Sequence, residues 1–341
     1  MSTNAETLQT APVASDYVQL RKQLREAGLF KKHQGFPIAH FLVCCAMIAA
    51  SVTLVFVTDL LWVQLLNAAF MAFAFGQLCF VFHDAGHYQI FPRAVLNTIA
   101  GYTCTLLLGS SFRWWRDQHN THHKHPNHED LDPDVSIPFL AFTEAQARDK
   151  RGLQRLFVRN QAIALFPIWT LTALNMRLLT QVRYFLTHDF RKVWLDALLF
   201  VVHMALYLWL LFSQLPLLTA MLFIVVHQLC WGFYLASVFA PNHYGMDMFS
   251  DEDRPDFLHM QILGSRNLKS HPITDLWYGG LNYQIEHHLF PTLQRSKLPR
   301  ARKIVRQFCL DNGIRHHETG VFESYLEIYR HMRSISQYAR A

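Results

Sequence analysis

The stretch "IAHFLVCCAMIAASVTLVFV" (residues 38–57) is followed two residues later by "LLWVQLLNAAFMAFAFGQLCFVF" (residues 60–82). Neither contains a charged residue, and each has the roughly 20 apolar residues that an α-helix needs to cross a bilayer. Residues 193–213 and 217–240 repeat the pattern on either side of Pro216. These two pairs predict an all-α integral membrane protein with four transmembrane helices in two hairpins.

The composition and the distribution of charge agree with a lipid environment. Hydrophobic residues make up 51% of the chain and charged residues 16%, against averages of about 45–50% and about 25% in soluble domains. No Lys or Arg lies between Lys32 and Arg93 or between Lys192 and Arg254, the stretches that hold both predicted outer turns. By the positive-inside rule the basic side is cytoplasmic. We therefore expect both termini and the active site in the cytoplasm, and no nucleic-acid partner.

The chain is expected to divide into three parts. Residues 1–35 contain "RKQLREAGLFKK" and predict a cytoplasmic amphipathic segment; residues 36–300 form the membrane domain; residues 301–341 form a cytoplasmic helical tail. Within the membrane domain, residues 94–112 are expected to form an interfacial or re-entrant helical hairpin, since Arg93 and Arg113 flank them. Residues 161–174 are too short to span and are expected to be interfacial.

Histidines cluster just beyond the predicted inner ends of the spans, at spacings that put them on common helix faces. The clusters are His83 and His87, four residues apart; His119, His122 and His123, at i, i+3 and i+4; His243 after the fourth span; and His287 and His288, which follow Gln284 at i+3 and i+4.

These clusters predict a metal site. Eight imidazoles exceed what one catalytic ion with an open position can use, so two ions are expected. Nitrogen-rich ligation without thiolates leaves zinc, copper, iron or nickel. By contrast, His203 and His227, each alone within a predicted span, are interpreted as hydrogen-bonded core residues, and His316 is interpreted as solvated.

The motifs resemble those of the membrane fatty acid desaturase superfamily, most closely its front-end acyl desaturase branch. The resemblance covers roughly residues 35–300 and rests on "HDAGH", "WWRDQHNTHHKHPN" followed by "DPDV", "SRN" at 265–267 and "GGLNYQIEHHLFP" at 279–291. In this branch glutamine replaces the first histidine of the third motif, as Gln284 does here.

The expected fold adds interfacial helices and a cytoplasmic helical cap to the two hairpins. The resemblance implies that the metal site of this cap is a non-haem di-iron centre. It also implies O2 as co-substrate and a long acyl chain, held as a thioester or an acyl lipid, as the substrate that gains a double bond. The implied iron ligands are His83, His87, His119, His122, His123, His243, His287 and His288, with Gln284 at the edge of the site.

Carboxylates close to these motifs are candidates for orienting the ligating histidines. They are Asp84, Asp132, Asp134 and Glu286. Asp132 and Asp134 fit an ordinary turn around Pro133 equally well.

The sequence departs from its relatives at two points. Acyl-CoA desaturases have an asparagine four residues before the histidine that corresponds to His243, whereas this chain has Phe239, so the water which that asparagine holds is lost or supplied otherwise. Many front-end relatives carry a fused cytochrome domain with an HPGG motif, which is absent from these 341 residues. We therefore expect a separate electron donor of the ferredoxin or cytochrome type, with a reductase, beside the fatty acyl substrate and membrane lipid as partners.

Other functions fit the same motifs. Hydroxylases, acetylene-forming enzymes and alkene-forming decarboxylases of the superfamily share the site. A histidine-rich metal transporter is a more distant alternative. It needs ligands at mid-depth in the membrane, whereas these motifs lie at the ends of the spans.

Overall fold

A computed structural model of the chain describes residues 14–340. Residues 1–13 of the predicted N-terminal segment, and Ala341 of the predicted tail, lie outside the described residues. Helix α1 (Ala14–Glu26) buries Leu20 and Leu24 and exposes Arg21 and Arg25. The described part of the N-terminal segment is therefore an amphipathic helix.

Helices α2 (Gly35–Val57) and α3 (Leu61–Gly86) are joined by residues 58–60 and pack against each other. Buried polar side chains connect them: Ser51 Oγ donates to Asn67 Oδ1 at 2.6 Å, and Gln64 Nε2 donates to the carbonyls of Leu54 and Thr58 at 2.8 and 2.7 Å. In lipid such groups must find their partners inside the protein, so these contacts hold the pair together.

Helices α4 (Ala94–Leu108) and α5 (Phe112–Lys124) meet at an angle of 112°. Gly109 ends α4 with φ +62°, and a Cβ at this position would lie 2.3 Å from Cδ2 of His203. Glycine is therefore required by both the left-handed backbone and the close packing. The bend agrees with a re-entrant or broken helix pair.

The following segment is helical over more residues than the sequence predicts. Its elements are α6 (Glu144–Asp149), α7 (Gly152–Arg159), α8 (Gln161–Trp169), α9 (Thr172–Leu174), a π-helical turn (Asn175–Thr180) and α10 (Gln181–Thr187). The predicted interfacial segment 161–174 thus continues to Thr187, with a bend of 65°. Tertiary contacts stabilise the extension, because buried Arg177 donates to the carbonyl of Leu108.

Helices α11 (Phe190–Gln214) and α12 (Leu217–His243) complete the apolar set. Among the described residues, four helices are long and apolar enough to cross a membrane: α2, α3, α11 and α12. In the most apolar 18 residues of each helix, the buried share is 67% in α3 and 56% in α12, but only 17% in α2 and 28% in α11. Helices α3 and α12 are therefore the central pair. His203 Nδ1 lies 2.9 Å from the carbonyl of Leu106 and His227 Nδ1 lies 2.8 Å from Tyr207 Oη, so both are hydrogen-bonded core residues, as predicted.

The remaining elements pack on the motif-bearing ends of these helices. They are α13 (Phe257–Leu263), β1 (Asn267–Leu268), α14 (Pro272–Tyr278), α15 (Gln284–Leu289), α16 (Leu298–Asp311), β2 (Glu318–Thr319) and α17 (Val321–Tyr338), with 3₁₀ turns at Pro133–Val135 and Arg295–Lys297. Strands β1 and β2 pair in parallel, and α17 packs on α8 and α12. The predicted tail is therefore integrated with the membrane domain.

Candidate metal centre

Five histidines from three separate parts of the chain converge in one buried group. Each contributes one ring nitrogen, and these nitrogens all lie within 4.8 Å of one another. His83 Nε2 lies 3.1 Å from His287 Nε2, and His119 Nε2 lies 3.1 Å from His123 Nε2. We call this the five-histidine group; its members are His83, His87, His119, His123 and His287.

A second group, the three-histidine group, consists of His122, His243 and His288. His122 Nε2 lies 3.3 Å from His243 Nε2. The two groups adjoin, because the ring of His123 stacks on that of His288 with centroids 4.2 Å apart. All eight histidines predicted as ligands are therefore brought together, in two neighbouring sets.

The division between the groups follows from helix geometry. Consecutive residues on an α-helix point about 100° apart, so the neighbours His122 and His123 on α5 face different groups, as do His287 and His288 on α15. The i, i+3 and i+4 spacing predicts a common helix face for His119, His122 and His123, and the structure places His119 and His123 in the five-histidine group and His122 in the three-histidine group. Each histidine doublet serves both groups.

Each histidine of the three-histidine group has an oxygen acceptor close to its Nδ1 atom. The Nδ1 atom of His122 lies 2.9 Å from Asp132 Oδ2, that of His243 lies 2.9 Å from the carbonyl oxygen of Gly264, and that of His288 lies 2.9 Å from Gln261 Oε1. An oxygen acceptor requires the proton on Nδ1, which leaves each Nε2 free to bind a cation.

The other predicted outer residues lie in different surroundings. Asp134 Oδ2 is 3.5 Å from His122 Nδ1, but its side chain is 57% exposed. Asp84 accepts from Arg295 Nη2 at 2.8 Å, and its carboxylate is 3.9 Å from His83 Nδ1, beyond hydrogen-bonding distance.

Glu286 and Gln284 also differ in where they point. Glu286 accepts from Asn267 Nδ2 at 2.8 Å and lies 3.3 Å from His316, and neither partner belongs to a histidine group. The prediction of a solvated His316 is wrong, since its side chain is only 4% exposed. Gln284 is at the site, with its amide nitrogen 2.9 Å from His243 Nε2.

The protonation of the rings suits metal binding. Burial holds the pKa of His119, His123, His287 and His288 well below the usual value, so these imidazoles are neutral at pH 7. Burial also acts to lower the pKa of His122, but the carboxylates of Asp132 and Asp134 outweigh it and raise the value to about 9. Asp132 thus stabilises positive charge at His122, whether proton or metal ion.

The residues fit a pair of transition-metal ions. Two nitrogens bound at about 2.1 Å with a right angle between the bonds are about 3.0 Å apart, close to the 3.1–3.3 Å spacings observed. A single N–H···N hydrogen bond would be enough to explain the short distance within each of these pairs. Such bonds do not explain why Nε2 of His87 and of His288 is buried without a hydrogen-bond partner among residues 14–340, a costly arrangement unless another group binds there.

An apolar cavity reaches the five-histidine group between α3 and α12. Its wall includes His83, Trp115 and Phe239, so the phenylalanine that replaces asparagine forms part of the cavity. The other lining residues are Gly76, Cys79, Phe80, Phe82, Ser110, Met176, Trp231, Tyr234, Leu235, Val238 and Leu281. Its lining residues on α12 extend from Trp231 to Phe239, eight residues or about 12 Å of helix.

Comparison with known proteins agrees with the site. The fatty acid desaturase family model matches residues 60–320, and the chain belongs to this family of oxidoreductases. Together with the four apolar helices, membership indicates an integral membrane protein.

Named relatives extend the similarity over nearly the whole chain. It is 27% identical to an acyl-lipid (9-3)-desaturase of Physcomitrium patens over 97% of its own length and 64% of the relative's. A Delta(8)-fatty-acid desaturase of Helianthus annuus is 26% identical, over 97% and 75% of the two chains. A Delta(6)-fatty-acid desaturase of Caenorhabditis elegans is 27% identical, over 98% and 77%. The chain thus spans less than two thirds of the first of these relatives.

Two residues of the site escaped the sequence analysis. Gln261 accepts from His288 and donates to the carbonyl of His123 at 3.0 Å. Asn127 donates its backbone N–H to Asp132 at 2.8 Å and its side-chain amide to the carbonyls of His243 and Gly264. No spacing signal marks either one, although Asn127 is the last residue of the quoted stretch "WWRDQHNTHHKHPN" and adopts φ +55°.

Proposed function

We propose that the chain inserts a carbon–carbon double bond into a long acyl chain at a di-iron centre, with O2 as co-substrate. The observation that carries the proposal is the apolar cavity ending at His83, one of eight histidines collected in two adjoining groups. A saturated chain needs an apolar tunnel, and its oxidation needs a metal centre at the end of that tunnel.

The five-histidine group and the three-histidine group would each hold one iron ion. Iron bound there supplies the oxidant that removes hydrogen from an unactivated methylene, which no side chain can do. The protein's own part is to bring eight imidazoles together and to hold the rings in orientation. Gln284 adds an amide beside the three-histidine group, and turning that amide over would present its oxygen as a further donor.

The cavity supports a bound alkyl chain rather than a polar substrate. Its wall is formed by side chains such as Phe80, Trp231 and Leu235, which exclude water and bind methylene groups. Relatives are named as acyl-lipid and fatty-acid desaturases, so the proposed substrate is a fatty acyl chain on a lipid or a thioester. A double bond forms where the chain passes His83.

The membrane orientation is part of the proposal. The four spans would form two hairpins, with the histidine groups and both termini on the cytoplasmic side, because the basic residues lie at that end. The outer surfaces of α2 and α11 expose large apolar side chains, among them Leu42, Trp209 and Phe212. Lipid would cover these surfaces.

Electrons would come from a separate acidic carrier protein of the ferredoxin or cytochrome type. Helices α1 and α16 pack together through a shared core and expose cations on their outer sides. Arg21, Arg25, Arg300, Lys303 and Arg306 are all exposed. Attraction between such a surface and an acidic protein speeds their encounter.

The nearest alternatives to desaturation are other reactions at the same site, because hydroxylation, acetylene formation and decarboxylation need the same oxidant. Mass spectrometry of acyl chains, after expression with a reductase system, separates desaturation from hydroxylation and decarboxylation. Desaturation removes two hydrogens, so the product is about 2 Da lighter, whereas hydroxylation makes it about 16 Da heavier. We expect the lighter product with the wild-type chain and none with His288→Ala; a hydroxylated product, or activity retained by the variant, would contradict the proposal.

A further inference from the structure

Arg266 is fully buried and donates several hydrogen bonds to the end of α12. Arg266 donates from Nε to the carbonyl of Pro241 at 2.8 Å and from Nη2 to the carbonyl of Tyr244. Its backbone N–H donates to the carbonyl of Asn242 at 2.8 Å. The three acceptors flank His243, and Pro241 interrupts the hydrogen bonding of the helix just before it. Arg266 therefore replaces the helical hydrogen bonds that this terminus lacks.

The charge of Arg266 is balanced from the C-terminal segment. Its Nη1 donates to Glu327 on α17, and the Arg266 side chain is 0% exposed, so the carboxylate compensates a buried cation. Glu327 also lies 3.0 Å from His317 Nε2. Strand pairing fixes the same neighbourhood, because Asn267 donates its backbone N–H to the carbonyl of His317 at 3.0 Å.

The contacts of Arg266 lie beside His243, a member of the three-histidine group. Arg266 follows Gly264 by two residues, and the carbonyl of Gly264 accepts from His243 Nδ1. Asn242, whose carbonyl accepts from Arg266, donates its side-chain amide to Gln284 at 3.2 Å, next to the same ring. The hydrogen bonds of the Arg266 side chain go to Pro241, Tyr244 and Glu327, whereas His83 and His87 lie at the end of α3.

We propose that Glu327 is a positioning residue: through Arg266 it holds the His243 end of α12, and thereby the three-histidine metal site, in place. This inference rests on the proposed function, since it assumes that both groups bind metal. It gives the C-terminal helix α17 a specific role at the site. Loss of Glu327 weakens one metal position and leaves the other unchanged.

The test is a titration of metal-free protein with Co²⁺, followed by the absorption of the bound ion. The wild type should bind two ions per chain. Glu327→Gln should weaken one of them about 10-fold or more, the usual lower limit for loss of an outer partner, and leave the other within about 2-fold. Glu323→Gln is the matched control, because Glu323 lies one turn earlier on α17 in an exposed pair with Arg330; it should bind like the wild type.

Two ions bound by Glu327→Gln with unchanged affinity would overturn the inference, and so would equal weakening of both in a variant that melts at the wild-type temperature. If Glu327→Gln fails to fold, the double variant Arg266→Met with Glu327→Met removes both charges together, a change that buried pairs often tolerate. It should fold yet bind only one ion tightly; two tight ions would overturn the positioning role. A wild type that binds no metal would instead contradict the proposed function itself.

Discussion

Replacing Asp132 with asparagine tests whether the outer partner of His122 sets metal affinity. The Asp132 carboxylate is buried, and besides His122 it accepts from the backbone N–H groups of Asn127 and Asp134 at 2.8 and 2.9 Å. Asparagine keeps the shape but removes the negative charge. A charge-assisted hydrogen bond contributes about 1.5–3 kcal/mol, so the affinity of the three-histidine group should fall about 10- to 150-fold.

Asp134→Asn is the matched control. Its carboxylate is 3.5 Å from the same nitrogen but largely exposed, and an exposed pair contributes about 0–1 kcal/mol, or at most about 5-fold in affinity. Iron binding to both variants, measured by equilibrium competition with a chelator, gives the comparison. Equal losses in the two variants, or no loss in Asp132→Asn, would refute the reasoning.

Three further predictions concern the cavity, the membrane and the donor. Gly76→Val should shorten the acyl chains accepted and lower the melting temperature, because a Cβ at Gly76 would lie 1.9 Å from Tyr234 Cδ1. An unchanged chain-length profile by mass spectrometry would show that Gly76 does not line the site of the acyl chain. Cysteines placed at Thr58 and at the exposed Gln214 in a cysteine-free background should react with impermeant reagents only from the far side of the membrane, and labelling from the cytoplasm would exclude the topology. Turnover at fixed donor concentration should fall with ionic strength, since charge attraction is screened over about 8 Å at physiological salt; a salt-independent rate would exclude electrostatic docking.

The apolar helices and the histidine positions could be predicted from the sequence because both depend on short-range patterns. Runs of apolar residues define the four long helices, and i+3 and i+4 spacings define the motifs. The separation of His122 from His123 also follows from helix geometry once the two metal positions are known. Local spacing thus carries most of the information about the ligands.

Contacts between distant parts of the chain could not be predicted in the same way. Arg295 binds Asp84 across 211 residues and Glu286 turns towards His316, so two carboxylates next to histidine motifs have partners elsewhere. Arg266 lies within the noted "SRN" motif, yet its partner Glu327 is 61 residues away. Such pairings depend on tertiary packing, which leaves no periodic signal.

The central claim is that the two histidine groups hold a metal pair which acts as one catalytic unit. Turnover measured against iron bound per chain, in protein stripped of metal and reloaded stepwise, tests it most directly. Activity should remain low until the second iron binds and should reach its plateau at two irons per chain. Full activity at one iron per chain, or with zinc as the only bound metal, would contradict the account.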